Sequence, residues 1–166
     1  MYAKDVSEHK EPLALGGWLI LLAIGIIISP FTMVYALWTT YSPIFTEGIW
    51  QTITTEGTEA YSPYWQPIII SEITANVLLT TVTVYVAYLF FTKKAVFPKW
   101  YFALVLSSAT LILLSSYAAT IVMPNLELFD SGTLRELARS LIGVFVWAPY
   151  LFFSQRAKDT FVVRHN

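Results

Sequence analysis

Long apolar runs alternate with short polar ones along the chain, and the length of the runs sets the first expectation. Crossing the hydrocarbon core of a bilayer takes a helix of about 20 mostly apolar residues. Charge is absent from Pro12 to Thr46, and the dense part of that interval, Gly16 to about Trp38, forms a first run of that length. A second runs from Pro67 to Thr92 with one charge inside it, Glu72, and a third from Pro98 or Lys99 to about Met123, where Pro124 ends it. The fourth is shorter. Its charge-free part, Ser140 to Gln155, would span only about 24 Å as a helix, so it needs extending back to Thr133. There Thr133 and Glu136 have the T-x-x-E spacing of a capping box.

The pattern therefore predicts an all-α fold, a four-helix transmembrane bundle in a single domain over residues 1–166. The spans fall at about 16–40, 67–92, 99–123 and 133–153, with a long external loop over 41–66. Within that loop Ile49–Thr55 suits either a short strand or a helix lying on the membrane surface. The first apolar run is longer than the roughly 7–15 residues of a signal-peptide core, and no A-x-A cleavage pattern follows it, so it reads as a retained span. Trp18, Trp38, Tyr41, Trp65 and Trp100 fall near span ends, as an interfacial aromatic belt would. Pro30 lies well inside the first span and Pro149 near the end of the fourth, and each is expected to kink its helix. Gly17, Gly25 and Ser29 put small residues on one face of the first span, and Ser115, Ser116, Ala119 and Thr120 do so on the third, as close helix contact requires. No internal repeat is evident, which speaks against an inverted-repeat transporter.

Direction follows from the basic residues. Lys4 and Lys10 precede the first span, Lys93, Lys94 and Lys99 lie between the second and third, and Arg156, Lys158 and Arg164 follow the fourth. The connections on the other side, 41–66 and 124–132, carry Glu47, Glu56, Glu59, Glu127 and Asp130 and no lysine or arginine. Positive residues stay inside, so both termini are expected in the cytoplasm. The tail Ser154–Arg164 alternates basic and apolar residues, and Arg156 and Lys158 are expected to meet the anionic inner leaflet.

Composition narrows the chemistry. Hydrophobic residues make up 56% of the chain and charged ones 13%, against about 25% charged in a soluble domain; mean hydropathy is +0.60. A net charge of −1 gives no footprint for nucleic acid. With no cysteine there is no disulfide, thiolate nucleophile or Cys-based metal site, and the only histidines, His9 and His165, sit in opposite tails. No phosphate-binding glycine loop, H-E-x-x-H or G-x-S-x-G is present. No catalytic residue, metal site or cofactor is expected, and the protein is expected not to be an enzyme.

What remains is a polar set inside the spans: Glu72, Asn76, Arg135 and Arg139. Counted from Pro67 and from Thr133, Glu72 and Arg139 occupy equivalent depths on two helices entering from the same side. A charge left alone near the membrane centre costs roughly 2.5–3.5 kcal/mol. The simpler reading is a structural ion pair that fixes helix packing, and the alternative is a ligand or proton site. Asn76, Thr80 and Thr83 follow Glu72 along one face, either as interhelical hydrogen bonders or as an extension of that site. Arg135 and Arg139, one turn apart, could together hold an anion such as a lipid phosphate.

Several short motifs recur in order: Leu15-Gly16-Gly17-Trp18-Leu19, Ser29-Pro30, Glu72 and Asn76, Arg139, Trp147-Ala148-Pro149-Tyr150, and Ser154-x-Arg156-x-Lys158-x-Thr160-Phe161. Together they resemble a bacterial inner-membrane family known only as a domain of unknown function. The resemblance implies four spans in the cytoplasmic membrane and no particular activity. The expected role is a non-enzymatic accessory or structural protein that binds lipid, a membrane-protein partner or another copy of itself. The alternative is a small transporter or channel component with its polar site at Glu72, Asn76 and Arg139. Water reaching Glu72 separates the two, since a structural pair should be dry.

Overall fold

The computed structural model describes residues 11–163. His9, His165, Lys4, Lys10 and Arg164, which entered the charge argument, lie outside the described residues. Helix α1 is Trp18–Thr46, α2 is Ile49–Thr54, α3 is Trp65–Phe91, and α4 is Phe97–Val122. The fourth span runs over Ser131–Phe153 in three parts: α5 (Ser131–Ile142), a π-helical segment Gly143–Trp147, and α6 (Ala148–Phe153). A short α7, Gln155–Thr160, follows. The fold is all-helical, and four of its helices are long and apolar enough to cross a membrane.

Boundaries move where local chemistry overrides the hydropathy pattern. The helix α1 continues past residue 40 through Pro43 to Thr46, so the connection to α3 is shorter than the apolar run suggests. Ile49–Thr54 resolves as a helix. The fourth span begins before Thr133: Asp130 is the N-cap and accepts from the Thr133 N–H at 2.8 Å. Thr133 is therefore the third helical residue, and the T-x-x-E box is not the cap. Hydrogen bonds from Thr133, its hydroxyl first and then its backbone N–H, hold the Asp130 carboxyl below its ordinary range.

The spans form an arc. Helix α1 packs on α3, α3 on α4, and α4 on the whole of the fourth span, with no comparable packing between α1 and α5 among the described residues. The end bearing both termini and the α3–α4 turn, the terminal end, holds the core. Leu19, Leu22, Val86, Leu89, Phe90, Phe97, Leu151, Ala157 and Phe161 form one buried cluster there. Its centre is aromatic: ring centroids lie 5.1 Å apart for Phe90–Phe97, 5.5 Å for Phe90–Phe161 and 4.5 Å for Phe97–Phe161.

That cluster draws in the tail, which is not merely spread on a leaflet. Ser154 has an extended backbone that breaks the helix and lets α7 turn back under the bundle, burying Ala157, Thr160 and Phe161. Backbone bonds then stitch the end together. Leu13 N–H donates to Asp159 O (3.1 Å), Ala95 N–H to Val163 O (2.9 Å), and Val163 N–H to Lys93 O (3.2 Å). The Arg156 guanidinium lies against Gly16, where any side chain would displace it. Gly17 follows with φ +59 and ψ −137, a combination only glycine tolerates, and starts α1. At the end of α3, Lys94 N–H bonds Leu89 O and Lys93 N–H bonds Phe90 O, the Schellman pattern, with Lys93 at φ 52 in the position glycine usually takes.

In the fourth span, the π segment stands just ahead of Pro149, which has no N–H for an α-type bond. The Ala148 N–H reaches back five residues to Gly143 O. This widened turn lines up Gly143 and Ala148, both small and both buried, against α4. A Cβ at Gly143 would come within 2.9 Å of Val105 Cγ1. Gly143→Ala is therefore expected to lower thermal stability in detergent, since overpacking costs about 1–3 kcal/mol and the gain in helix propensity is about 1 kcal/mol. Adding Val105→Ala should recover much of the loss. Equal stability of Gly143→Ala and the parent would show that α4 and the fourth span are not in this close contact.

Candidate functional site

Away from the core the arc stays open. A cavity of about 770 Å³ is walled by all four spans. Its floor, toward the terminal end, includes Leu22, Ile26, Val86, Tyr101 and Trp147; its walls carry Ser29, Thr83 and Ser108; its rim carries Glu72, Glu127, Asp130, Glu136 and Arg139.

Small residues on α1 create this space. Gly25, Ser29 and Ala36 line the cavity, and a Cβ at Gly25 would meet nothing within 4 Å. The face expected to let helices approach closely instead faces a void. On α4 the same kind of face does make contact. Ser116 Oγ donates to Leu128 O (2.8 Å) and lies 3.3 Å from Thr133 Oγ1, while Ser108 and Ser140 hydroxyls lie 3.3 Å apart.

Glu72 and Asn76 are half-buried on the cavity wall of α3. Tyr41 OH donates to Glu72 Oε2 at 3.2 Å, so Tyr41 ties α1 to α3; Trp18, Trp38 and Trp100 are exposed. The Asn76 Nδ2 donates to Glu72 O (2.9 Å). The hydroxyls of Thr80 and Thr83 donate to the carbonyls four residues back, Asn76 O and Leu79 O, each at 2.8 Å. Only Thr83 also reaches across, to Met33 Sδ at 3.5 Å. The polar stripe on α3 is thus mostly satisfied within its own helix.

Both helix starts lie outside their expected positions, by two residues for α3 and three for α5, so the depths still match. From Trp65 and Ser131, Glu72 and Arg139 lie about 10 and 12 Å along their helices. They do not pair. Both line the cavity, but among the described residues no ion pair joins them, and Arg139 makes no hydrogen bond to the protein. Arg135 is exposed and is not part of the cavity wall. The lining positions of the fourth span, Thr133, Glu136, Ser140, Gly143 and Trp147, step by three or four residues with Arg139 beside them, and Arg135 falls off that face. The cavity wall thus takes in Arg139 without Arg135.

Sequence reasoning missed Tyr41, Glu127, Asp130 and Glu136 as cavity residues. The 3–4 stepping through Glu136 was a readable signal. The placement of the 123–130 connection over the cavity was not, because it depends on the Ser116–Leu128 bond.

Four spans around a polar-rimmed cavity define a multi-pass membrane protein of the helical-bundle class. Its family follows from the sequence: the chain belongs to the family described as protein of unknown function, DUF2569, which matches over residues 12–162. No curated protein and no solved structure matches the chain. The matched range takes in both Gly16–Gly17 and the α7 tail, the two segments that meet at the terminal end.

The geometry makes a specific expectation for the Glu72–Arg139 question. Removing one member of a buried ion pair costs about 3–5 kcal/mol and removing both is near neutral. Without a pair, Arg139→Leu should change stability only slightly, Glu72→Leu should cost only its bond from Tyr41, about 1.5–3 kcal/mol, and the two effects should add to within about 0.5 kcal/mol. Thermal unfolding of the four proteins of the cycle in detergent measures this, and rescue of one loss by the second replacement would restore the ion pair.

Proposed function

We propose that this is a non-enzymatic ligand-binding protein of the bacterial cytoplasmic membrane, with both termini in the cytoplasm and the cavity opening toward the periplasm. The observation that carries the reading is the cavity itself, of about 770 Å³ and running from a charged rim to an apolar floor. That volume lies within the roughly 300–1,000 Å³ typical of small-molecule sites. Glu72 stands on an open wall, where water reaches it, which favours a ligand site over a dry structural pair. An acid, an amide and a guanidinium spaced along the wall suit holding a polar group. The buried cluster at the terminal end seals the floor, which favours retention of a ligand over its conduction through the bundle. Orientation rests on the basic residues Lys93, Lys94, Lys99, Arg156 and Lys158 at the terminal end and their absence from the 41–66 and 124–132 connections.

The natural absence of cysteine permits a direct test. Single cysteines at Glu56 and, deep in the cavity, at Ser29 should react in sealed cells with a small, charged, membrane-impermeant thiol reagent. Cysteines at Lys94 and Lys158 should react only after permeabilisation. Placing Gly25→Leu beside the Ser29 cysteine fills the open space without backbone strain and should sharply slow its labelling while the protein folds normally. Labelling of Lys94 in sealed cells would reverse the orientation. Labelling at Ser29 that ignores Gly25→Leu would remove the cavity as a route to that position.

A further inference from the structure

We propose that the cavity takes a zwitterionic lipid of the phosphoethanolamine class, its phosphate on Arg139, its ammonium among the rim carboxylates and an acyl chain toward the floor. This rests on the ligand-site reading above and deepens it. The first argument is charge. With every group ionised, the four carboxylates Glu72, Glu127, Asp130 and Glu136 outweigh the single guanidinium of Arg139, so the rim is strongly negative. Such a rim repels a plain anion, including a lipid whose head group is anionic overall. It calls for a cation. A cation alone leaves Arg139 unanswered, with its planar donor fork free of protein partners among the described residues and set about 12 Å along its helix. That fork matches phosphate bidentately. One phosphate and one ammonium in the same ligand satisfy both signs.

The second argument is the column below the rim. From Glu72 to Val86 along α3 is about 20 Å. On that stretch the hydroxyl that lines the cavity, Thr83, is already bonded within the helix to Leu79 O, so it makes little demand on an occupant. Leu22, Ile26, Val86 and Trp147 complete a largely apolar lower half, with the Tyr101 hydroxyl as its polar group. The third is access. Among the described residues the arc has no comparable packing between α1 and α5, a gap through which a molecule already in the bilayer could enter. Helix α3, with 27 residues, is about 40 Å long, and the hydrocarbon core is about 30 Å. With α3 centred on that core, Glu72 would lie only about 5 Å below the head-group boundary, and a lipid would need little vertical displacement to place its head there.

The test is native mass spectrometry of the full chain in dodecyl maltoside with four probes: phosphatidylethanolamine, phosphatidylglycerol with the same acyl chains, soluble phosphoethanolamine, and tetraphenylphosphonium. Phosphatidylethanolamine should bind at least about tenfold more tightly than phosphatidylglycerol, as expected when a charged hydrogen bond is gained or lost. Soluble phosphoethanolamine should bind far more weakly, because it lacks the chain. Arg139→Gln should weaken phosphatidylethanolamine by a similar factor while leaving tetraphenylphosphonium unchanged or improved. Gly25→Leu should abolish binding of phosphatidylethanolamine. Equal affinity for the two phospholipids, or phosphatidylethanolamine binding that survives Arg139→Gln, overturns the head-group assignment. So does soluble phosphoethanolamine binding as well as the lipid. If tetraphenylphosphonium binds, is blocked by Gly25→Leu, and outcompetes phosphatidylethanolamine, the cavity remains a ligand site and only the lipid class fails. If no probe binds, or Gly25→Leu affects none of them, the ligand-site reading itself fails.

Discussion

Everything else in this structure hangs on the contact between Phe161 and the turn that joins the second and third spans. Phe161 stacks against Phe90 and Phe97, residues on either side of that turn. Aromatic pairs of this kind contribute about 0.5–1.5 kcal/mol each beyond the area they bury. Because the residue that ends the last helix supplies one ring and the middle of the chain supplies the other two, the middle and last thirds of the sequence are held at one end. The Leu13–Asp159 and Ala95–Val163 bonds reinforce a junction that hydrophobic contact has already located. With the spans fastened there, they need not be packed along their full length.

The open half is a consequence of that fastening. Helices in lipid gain little from hiding apolar surface from one another, so only specific contacts close a gap between them. On α4 such contacts exist, in the serines facing Ser140, Thr133 and the Leu128 carbonyl. On α1 the facing positions are Gly25, Ser29 and Ala36, which offer almost nothing to grip. Ser29 instead returns its hydroxyl to Gly25 O at 2.7 Å. The charged rim then has a reason to remain unpaired: its members stand on different walls, held by Tyr41 on one side and by the Asp130 cap on the other.

The four spans were legible because a run of about 20 apolar residues has few other uses. The inward face of the tail was not legible. Alternating basic and apolar residues fit an interfacial strip as well as an amphipathic helix, and only the break at Ser154 turns Ala157 and Phe161 inward. The Thr133–Glu136 spacing suggested a cap that Asp130 in fact supplies, since an aspartate just ahead competes for the same N–H groups. Glu72 and Arg139 were found at matching depth, yet depth says nothing about which way each faces around the axis. Small residues at Gly25 and Ser29 were ambiguous in principle, because the same absence of side chain permits either contact or emptiness, and the neighbouring helix decides.

The extra residue in the fourth span has an implication for how this protein can vary. Inserting a π turn offsets the angular phase of everything after it relative to everything before it. Upstream, one flank shows the void a run of polar and charged groups; downstream, Ala148 and Leu151 are aimed into the sealed end. The two halves of one helix are thereby decoupled. Substitutions at Glu136, Arg139 or Ser140 can change the charge and shape of the rim while the plug beneath keeps its fit, and the plug can be repacked without re-aiming the rim. A single uninterrupted α-helix would force both surfaces onto one stripe, so the widened turn acts as the joint that lets rim and plug vary separately.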